Sequence, residues 1–172
     1  MDTVSDLTRE CFSAIACLRD LGDAVASPQA VQAQMRSYVD GLKEGARRLG
    51  LPERDAQDIT YALIALMDEV AIRAPEPLRS FWMSNLLQFQ YFGESAAGEG
   101  FFARLDNLLA DGRRPDVLRV YELCLLFGFQ GRYAFPGGDV ELLRIGQTVR
   151  RQVEQDLDVP TTLSPAGKAY RP

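Results

Sequence analysis

The chain has no histidine among its 172 residues. That absence excludes Ser-His-Asp and Cys-His catalysis in their usual forms, together with histidine-dependent metal sites and helical Glu-x-x-His di-iron motifs. No P-loop is present: Phe127-Gly128-Phe129-Gln130-Gly131-Arg132 has two glycines but lacks the Lys-Ser/Thr pair and a preceding strand. Cysteine is scarce. Cys11, Cys17 and Cys124 make an odd count without Cys-x-x-Cys spacing, which argues against a disulfide framework and for a reducing compartment. No run of about 18 apolar residues exists to span a bilayer. The longest charge-free stretch, 80–93, is broken by Ser84, Asn85, Gln88 and Gln90. The N-terminus, with Asp2, Asp6, Arg9 and Glu10, does not read as a signal peptide.

Clustered positive charge is also missing. Net charge is −5, from 19 Lys+Arg against 24 Asp+Glu. The basic pairs Arg47-Arg48, Arg113-Arg114 and Arg150-Arg151 are scattered and read as solvated helix ends or faces. Nucleic acid, which needs clustered Lys and Arg to neutralise phosphates, is therefore not an expected partner. No segment alternates with period two for long enough to argue for a sheet. Without a positioned acid, base or nucleophile, no enzyme and no cofactor are expected.

What is present is helical periodicity, backed by a 47% hydrophobic content that suffices for a sizeable core. Leu7, Cys11, Ala14 or Ile15, and Leu18 recur at threes and fours on one face of a first helix, with Gly22 as its stop. Ser27-Pro28 supplies an N-cap and a proline at the first position of a second helix, which carries Val31, Met35, Tyr38 or Val39, Leu42, Ala46 and Leu49 and ends at Gly50. Pro52 opens a third helix that Ala74-Pro75 closes. It bears one stripe of Ile59, Leu63, Leu66 and Val70, and a second of Tyr61, Ile64 or Ala65, position 68 and Ile72. A helix apolar on two sides is packed on both flanks, so residues 52–73 are expected at the centre.

A shorter helix is expected from Pro77 through Leu87, then a loop or turn over 93–100. Another helix carries Phe101, Phe102, Leu105, Leu108 and Leu109 and stops at Asp111-Gly112. One more starts at Pro115, an irregular segment follows over 128–138, and a last, more exposed helix covers about 139–155. The fold class is all-α, with seven to eight helices in two small packed bundles around the central helix. Residues 1–156 read as one helical domain and 157–172, with three prolines, as a tail or linker.

Asp68 is the most unusual residue, because it interrupts the second apolar stripe of the central helix. A carboxylate there is either buried and hydrogen-bonded or at the floor of a groove that receives a basic partner residue. Glu69, about 100° round the helix, is placed to reach Arg73 at i+4. Arg132-Tyr133 follows a glycine turn and reads as a loop contact, or as an arginine anchored to a carboxylate such as Asp68 or Glu122. The aromatics Phe81, Trp82, Phe89, Tyr91, Phe92, Phe101 and Phe102 read as core, with an exposed contact patch as the alternative. A small-molecule or lipid-binding helical domain using an aromatic pocket is the competing functional class.

Three segments in order resemble one family. They are Tyr61-Ala62-Leu63-Ile64-Ala65-Leu66-Met67-Asp68-Glu69; Trp82 with Gly98-Glu99-Gly100-Phe101-Phe102; and Cys124-Leu125-Leu126-Phe127-Gly128-Phe129-Gln130-Gly131-Arg132-Tyr133. Their order and spacing, over about residues 5–155, are similar to the DotU/TssL (IcmH) family. The resemblance implies a component of the type VI secretion system membrane complex, or of the related type IVB system, where a DotU-like protein stabilises an IcmF-like partner. It implies a non-enzymatic docking domain at the bacterial inner membrane, facing the cytoplasm and followed by a C-terminal transmembrane anchor that this chain lacks. The implied partners are the TssM/IcmF-like inner-membrane protein, baseplate proteins such as TssK and TssE, and a second copy of the protein in a homodimer. The implied partner-binding residues are Asp68 and Glu69, as an acidic pair in a cleft, with Gln130, Arg132 and Tyr133 on the nearby loop. The chain departs from the family pattern at Gln130, often Glu, and at Phe127, often Leu.

Overall fold

The computed structural model describes residues 3–21 and 27–162, the last six of these by their backbone. Gly22 and the segment 163–172 lie outside the described residues, so the expected helix stop and most of the expected tail are not seen. Among the described residues there are eight α-helices: α1 (Val4–Arg19), α2 (Pro28–Leu49), α3 (Glu53–Ile72), α4 (Leu78–Met83), α5 (Leu87–Phe92), α6 (Ala97–Asp111), α7 (Pro115–Leu126) and α8 (Gly138–Thr162). A single 3-10 turn spans Gly131–Tyr133, and no strand occurs among the described residues.

The boundaries follow local chemistry. Thr3 and Asp6 form a capping box on α1, satisfying two of the amides that a helix start leaves open. Ser27 Oγ accepts from Ala30 N at 3.2 Å, ahead of Pro28 at the first position of α2. α2 ends at Gly50 and α6 at Gly112, both in the left-handed conformation that glycine adopts without a Cβ clash.

α3 is the shared core element. It packs against α1, α2, α4, α5, α6 and α7. α1 to α3 form one small bundle; α6 to α8 form the other, with α8 laid on α7 and on the 3-10 turn. Both apolar stripes of α3 are used: Ile59, Tyr61, Leu63, Ile64, Leu66 and Met67 are all essentially inaccessible. Each such side chain contributes about 1.5–3 kcal/mol by leaving water, which makes α3 the main source of cohesion between the two bundles. Cys11 and Cys124 are core residues, and Trp82, Phe101 and Phe102 are fully buried. Phe89 stands apart from that aromatic group at 63% exposure.

Three boundaries differ from expectation, one of them being the end of α8, which runs on to Thr162 where a tail was expected from residue 157. The stretch from Pro77 to Leu87 is not one helix, because α4 ends at Met83 and α5 begins at Leu87. Asn85 Nδ2 donates to the Phe81 carbonyl at 2.8 Å, beside the Ser84 amide that closes the last turn of α4 on the same oxygen. α6 begins at Ala97, inside the stretch expected to be a loop or turn. Gly100 serves close packing there rather than a turn. A Cβ on it would lie 1.8 Å from the Tyr61 hydroxyl, so the missing side chain lets α6 approach α3.

Candidate functional site

The two acidic residues that end α3 have different surroundings. Asp68 is 1% exposed. Its Oδ1 accepts from Trp82 Nε1 at 2.7 Å and from the Leu87 amide at 3.0 Å. Its Oδ2 accepts from the Gln88 amide at 2.9 Å and from Gln88 Nε2 at 3.0 Å. The backbone donors are the first amides of α5, which have no partner within that helix. The Gln88 carboxamide then accepts from the Ala97 amide at 2.8 Å, which ties the same network to the start of α6. Asp68 therefore fixes α4, α5 and α6 against α3. Burial pushes its carboxyl above the ordinary carboxylate value, while each of the four N–H donors pulls it down. With both oxygens engaged and no path to solvent, Asp68 is a hydrogen-bonded core carboxylate in this conformation, not the floor of a groove.

Glu69 faces the loop between α7 and α8. Its Oε2 accepts from the Gln130 amide and its Oε1 from the Gly131 amide, each at 2.8 Å. Arg73 completes the arrangement. Its Nη1 lies 3.5 Å from Glu69 Oε2, the i+4 pair that the helical spacing predicts, and its Nη2 donates to Gln130 Oε1 at 2.5 Å. Gly131 has φ +53, and a Cβ there would come within 2.8 Å of the Gly98 carbonyl oxygen. The loop thus turns at the one residue type that fits, with two successive amides clamped by a single carboxylate.

Beneath the clamp, Phe129 is buried against Phe101, with ring centroids 4.2 Å apart. Tyr133 stands edge-on to Phe102 at 4.9 Å. Arg132 lies over both rings, 5.3 Å from the Phe102 centroid and 5.1 Å from that of Tyr133, and is otherwise exposed. Its Nη2 donates to the Tyr133 hydroxyl at 3.1 Å. The alternative in which Arg132 anchors the loop to Asp68 or Glu122 is not adopted. Asp68 is enclosed by its N–H donors, and Glu122 pairs with Arg119 and Arg150. Glu69 and Gln130 are in contact, Arg132 and Tyr133 continue the same loop, and Asp68 sits behind it in the core.

The role of Gln88, which holds Asp68 and reaches α6, has no signature in residue type or spacing. A signal for the Trp82 contact did exist. A buried tryptophan needs an acceptor for its indole N–H, and Asp68 is the acid set into the same apolar surroundings. Among the described residues no group of His, Cys, Asp and Glu is placed to hold a metal ion. Burial pushes the Cys11 thiol up to about 12 and raises Cys124 as well, which leaves both as packing groups.

The comparisons agree with this architecture. A model of the family described as "Type VI secretion system protein DotU" matches residues 3–171. The cytoplasmic domain of TssL from Acinetobacter baumannii is similar at 28% identity and TM-score 0.77, over 88% of this chain and 99% of that one. TssL from Vibrio cholerae shares the fold at 19% identity and TM-score 0.76, over 90% and 99%. SciP/TssL from enteroaggregative Escherichia coli 042 shares it at 22% identity and TM-score 0.71, over 83% and 84%. No curated protein sequence matches the chain. With the family match spanning nearly the whole sequence and the helices arranged as in TssL cytoplasmic domains, the chain belongs to the DotU family, structural components of the type VI secretion system.

Proposed function

We propose that this domain is a docking platform, linking the inner-membrane complex of the secretion system to its cytoplasmic baseplate. On this proposal it faces the cytoplasm, and a C-terminal anchor of the kind the family carries holds it at the inner membrane. Among the described residues no helix is long and apolar enough to cross a membrane, so any span would come from outside them. The partners on this reading are a TssM/IcmF-like protein and baseplate proteins such as TssK and TssE, with self-association as a further contact.

The observation that carries the reading is the Glu69 clamp on the loop amides of Gln130 and Gly131. It gives an irregular loop a fixed shape and leaves Arg132 exposed beside half-buried Gln130 and Tyr133. Preformed loops with an arginine and a tyrosine at the tip suit protein recognition, because little side-chain and loop entropy remains to be lost on binding. The partner-facing residues are then Gln130, Arg132 and Tyr133. Glu69 holds them in place, and Asp68 supports the helices behind. Nothing in this arrangement requires bond-making chemistry.

The test is capture of separately purified TssM-like, TssK and TssE proteins by the parent and by an Arg132→Ala plus Tyr133→Ala variant. The variant is expected to stay folded, with a modest fall in melting temperature from the lost packing of Tyr133 on Phe102, and to lose at least one partner. If it captures all three as the parent does, the loop has no part in docking.

A further inference from the structure

Beside the clamped loop lies a cavity of about 340 Å³, lined by Arg19, Glu69, Val70, Arg73, Pro75 and Gly128, among others. Its charge is opposite to that of the molecule. The chain carries a net −5, yet this cavity holds two guanidinium groups against one carboxylate. That carboxylate is already committed, since both Glu69 oxygens accept loop amides.

The guanidiniums retain donors. Arg19 uses one N–H on the Phe127 carbonyl, and Arg73 uses its two terminal nitrogens on Gln130 and Glu69. Each guanidinium carries five N–H groups, so most of their hydrogen-bonding capacity among the described residues is unspent. They come from different elements, the end of α1 and the end of α3, and each is held by a contact to the loop between α7 and α8. Val70, Ala74 and Pro75 give the cavity an apolar wall.

We infer that this cavity receives the carboxylate of a glutamate side chain from a protein partner that docks on the adjacent loop. The inference rests on the docking reading above and names the chemistry that reading lacks. It also reverses the sign expected of this region, where an acidic cleft would take a basic partner residue. Two arginine forks suit a planar carboxylate, because each can donate two parallel N–H bonds. The apolar wall suits the methylene groups of glutamate, which a bare anion would leave unmatched.

The test uses the whole ¹⁵N-labelled chain, observed at the arginine Nε–Hε resonances. It is titrated with acetyl-Ala-Glu-Ala-amide, with acetyl-Ala-Gln-Ala-amide and, separately, with inorganic phosphate. The glutamate peptide is expected to shift Arg19 and Arg73 saturably, and the glutamine peptide to bind about tenfold more weakly or worse, because the charge-assisted bonds are lost. Arg19→Gln, at an exposed helix end, is expected to keep the melting temperature and weaken the glutamate peptide about tenfold, with Arg19→Lys in between. Unmoved resonances, equal response to the two peptides, or phosphate binding tighter than the glutamate peptide would overturn the inference. Partner capture separates the two readings. Loss of capture in the loop variant with a silent cavity removes the cavity alone. A responsive cavity with unchanged capture removes loop docking and, with it, the assignment to a partner.

Discussion

Near the start of α3, Asp58 is held by cations; near its end, Asp68 is held by neutral N–H groups. Asp58 Oδ1 meets Arg104 Nη1 at 2.5 Å and Oδ2 meets Arg114 Nη2 at 2.6 Å, while Arg114 Nε reaches Asp55 at 2.7 Å. Those arginines come from α6 and from the residue that caps α7, and Arg104 also lies over the Tyr61 ring at 4.0 Å. Asp68 has no cation at hydrogen-bond distance; three of its four donors belong to Leu87 and Gln88 at the start of α5. The difference sets what each carboxylate specifies. Arginine side chains are long and adjust to their partner, so the Asp58 cluster ties elements together without fixing the backbone closely. Amides are rigid parts of the chain, so Asp68 dictates where α5 begins.

Breaking the Asp68 end should cost the most. Asp68→Asn keeps the shape but turns one acceptor into an NH₂ facing N–H donors, leaving buried groups unsatisfied. Roughly 3 kcal/mol or more of stability should be lost, read from urea denaturation, since each buried group left without its charged partner costs about 1–3 kcal/mol. The pH dependence has a definite sign. Burial raises the folded-state value of Asp68 above that of the unfolded chain, so its contribution is fully present below the unfolded value of about 3.9 and is lost as pH rises through the folded one. The stability gap between parent and Asp68→Asn should therefore narrow from pH 4 to pH 7. A gap that widens would mean that the four donors outweigh burial.

The Asp58 end should break more gently and respond to salt. Asp58→Asn leaves Arg114 with Asp55 as a partner, so a loss of roughly 2 kcal/mol is expected. Asp55 and Arg104 are partly open to solvent, so 0.5 M sodium chloride should screen part of the cluster and shrink the difference between parent and variant. The same salt should leave the Asp68→Asn difference nearly unchanged, because neutral donors are not screened. Equal salt responses at the two sites would erase the distinction between them.

The two ends were not equally legible in the sequence. The stripes of α3 are visible as periodicity, and Asp68 is visible as the polar residue that breaks one of them. Its partners are not, because they depend on the break between α4 and α5. Trp82, Leu86 and Leu87 have the spacing of one continuous helix, and nothing local marks Asn85 as the place where it stops. The Glu69 clamp was hidden for a different reason. Its partners are backbone amides 61 and 62 residues away, which carry no residue-type signature. Arg132 drew attention as an anchor because arginine–carboxylate pairing is readable from residue types, yet Arg73 takes that role at the loop and Arg132 stacks on rings. The expectation of an acidic cleft comes from Asp68 interrupting an apolar stripe and from the family resemblance, which implies an acidic pair there. Helical geometry turns neighbours about 100° apart, which is enough to seal one in the core and leave the other at the loop.

Glu69 lies between the two extremes and offers the smallest, most local break. Its side chain is 12% exposed, with two amide donors and a nearby arginine, so it combines both modes of holding a carboxylate. Glu69→Gln removes the charge and leaves either the Gln130 or the Gly131 amide without an acceptor. Because water can reach the site, the global cost should be about 1 kcal/mol, at the low end for a lost charged hydrogen bond. The sharper readout is hydrogen exchange at those two amides, which reports local opening. A 1 kcal/mol loss of loop protection corresponds to about fivefold faster exchange, and the Leu87 and Gln88 amides on Asp68 should stay as protected as in the parent. If all four amides accelerate together, the two acids act as one unit and Asp68 is not independent of the loop. If none does, the loop keeps its shape through Gly131 and the Phe129 packing alone, and Glu69 is free to meet a partner directly.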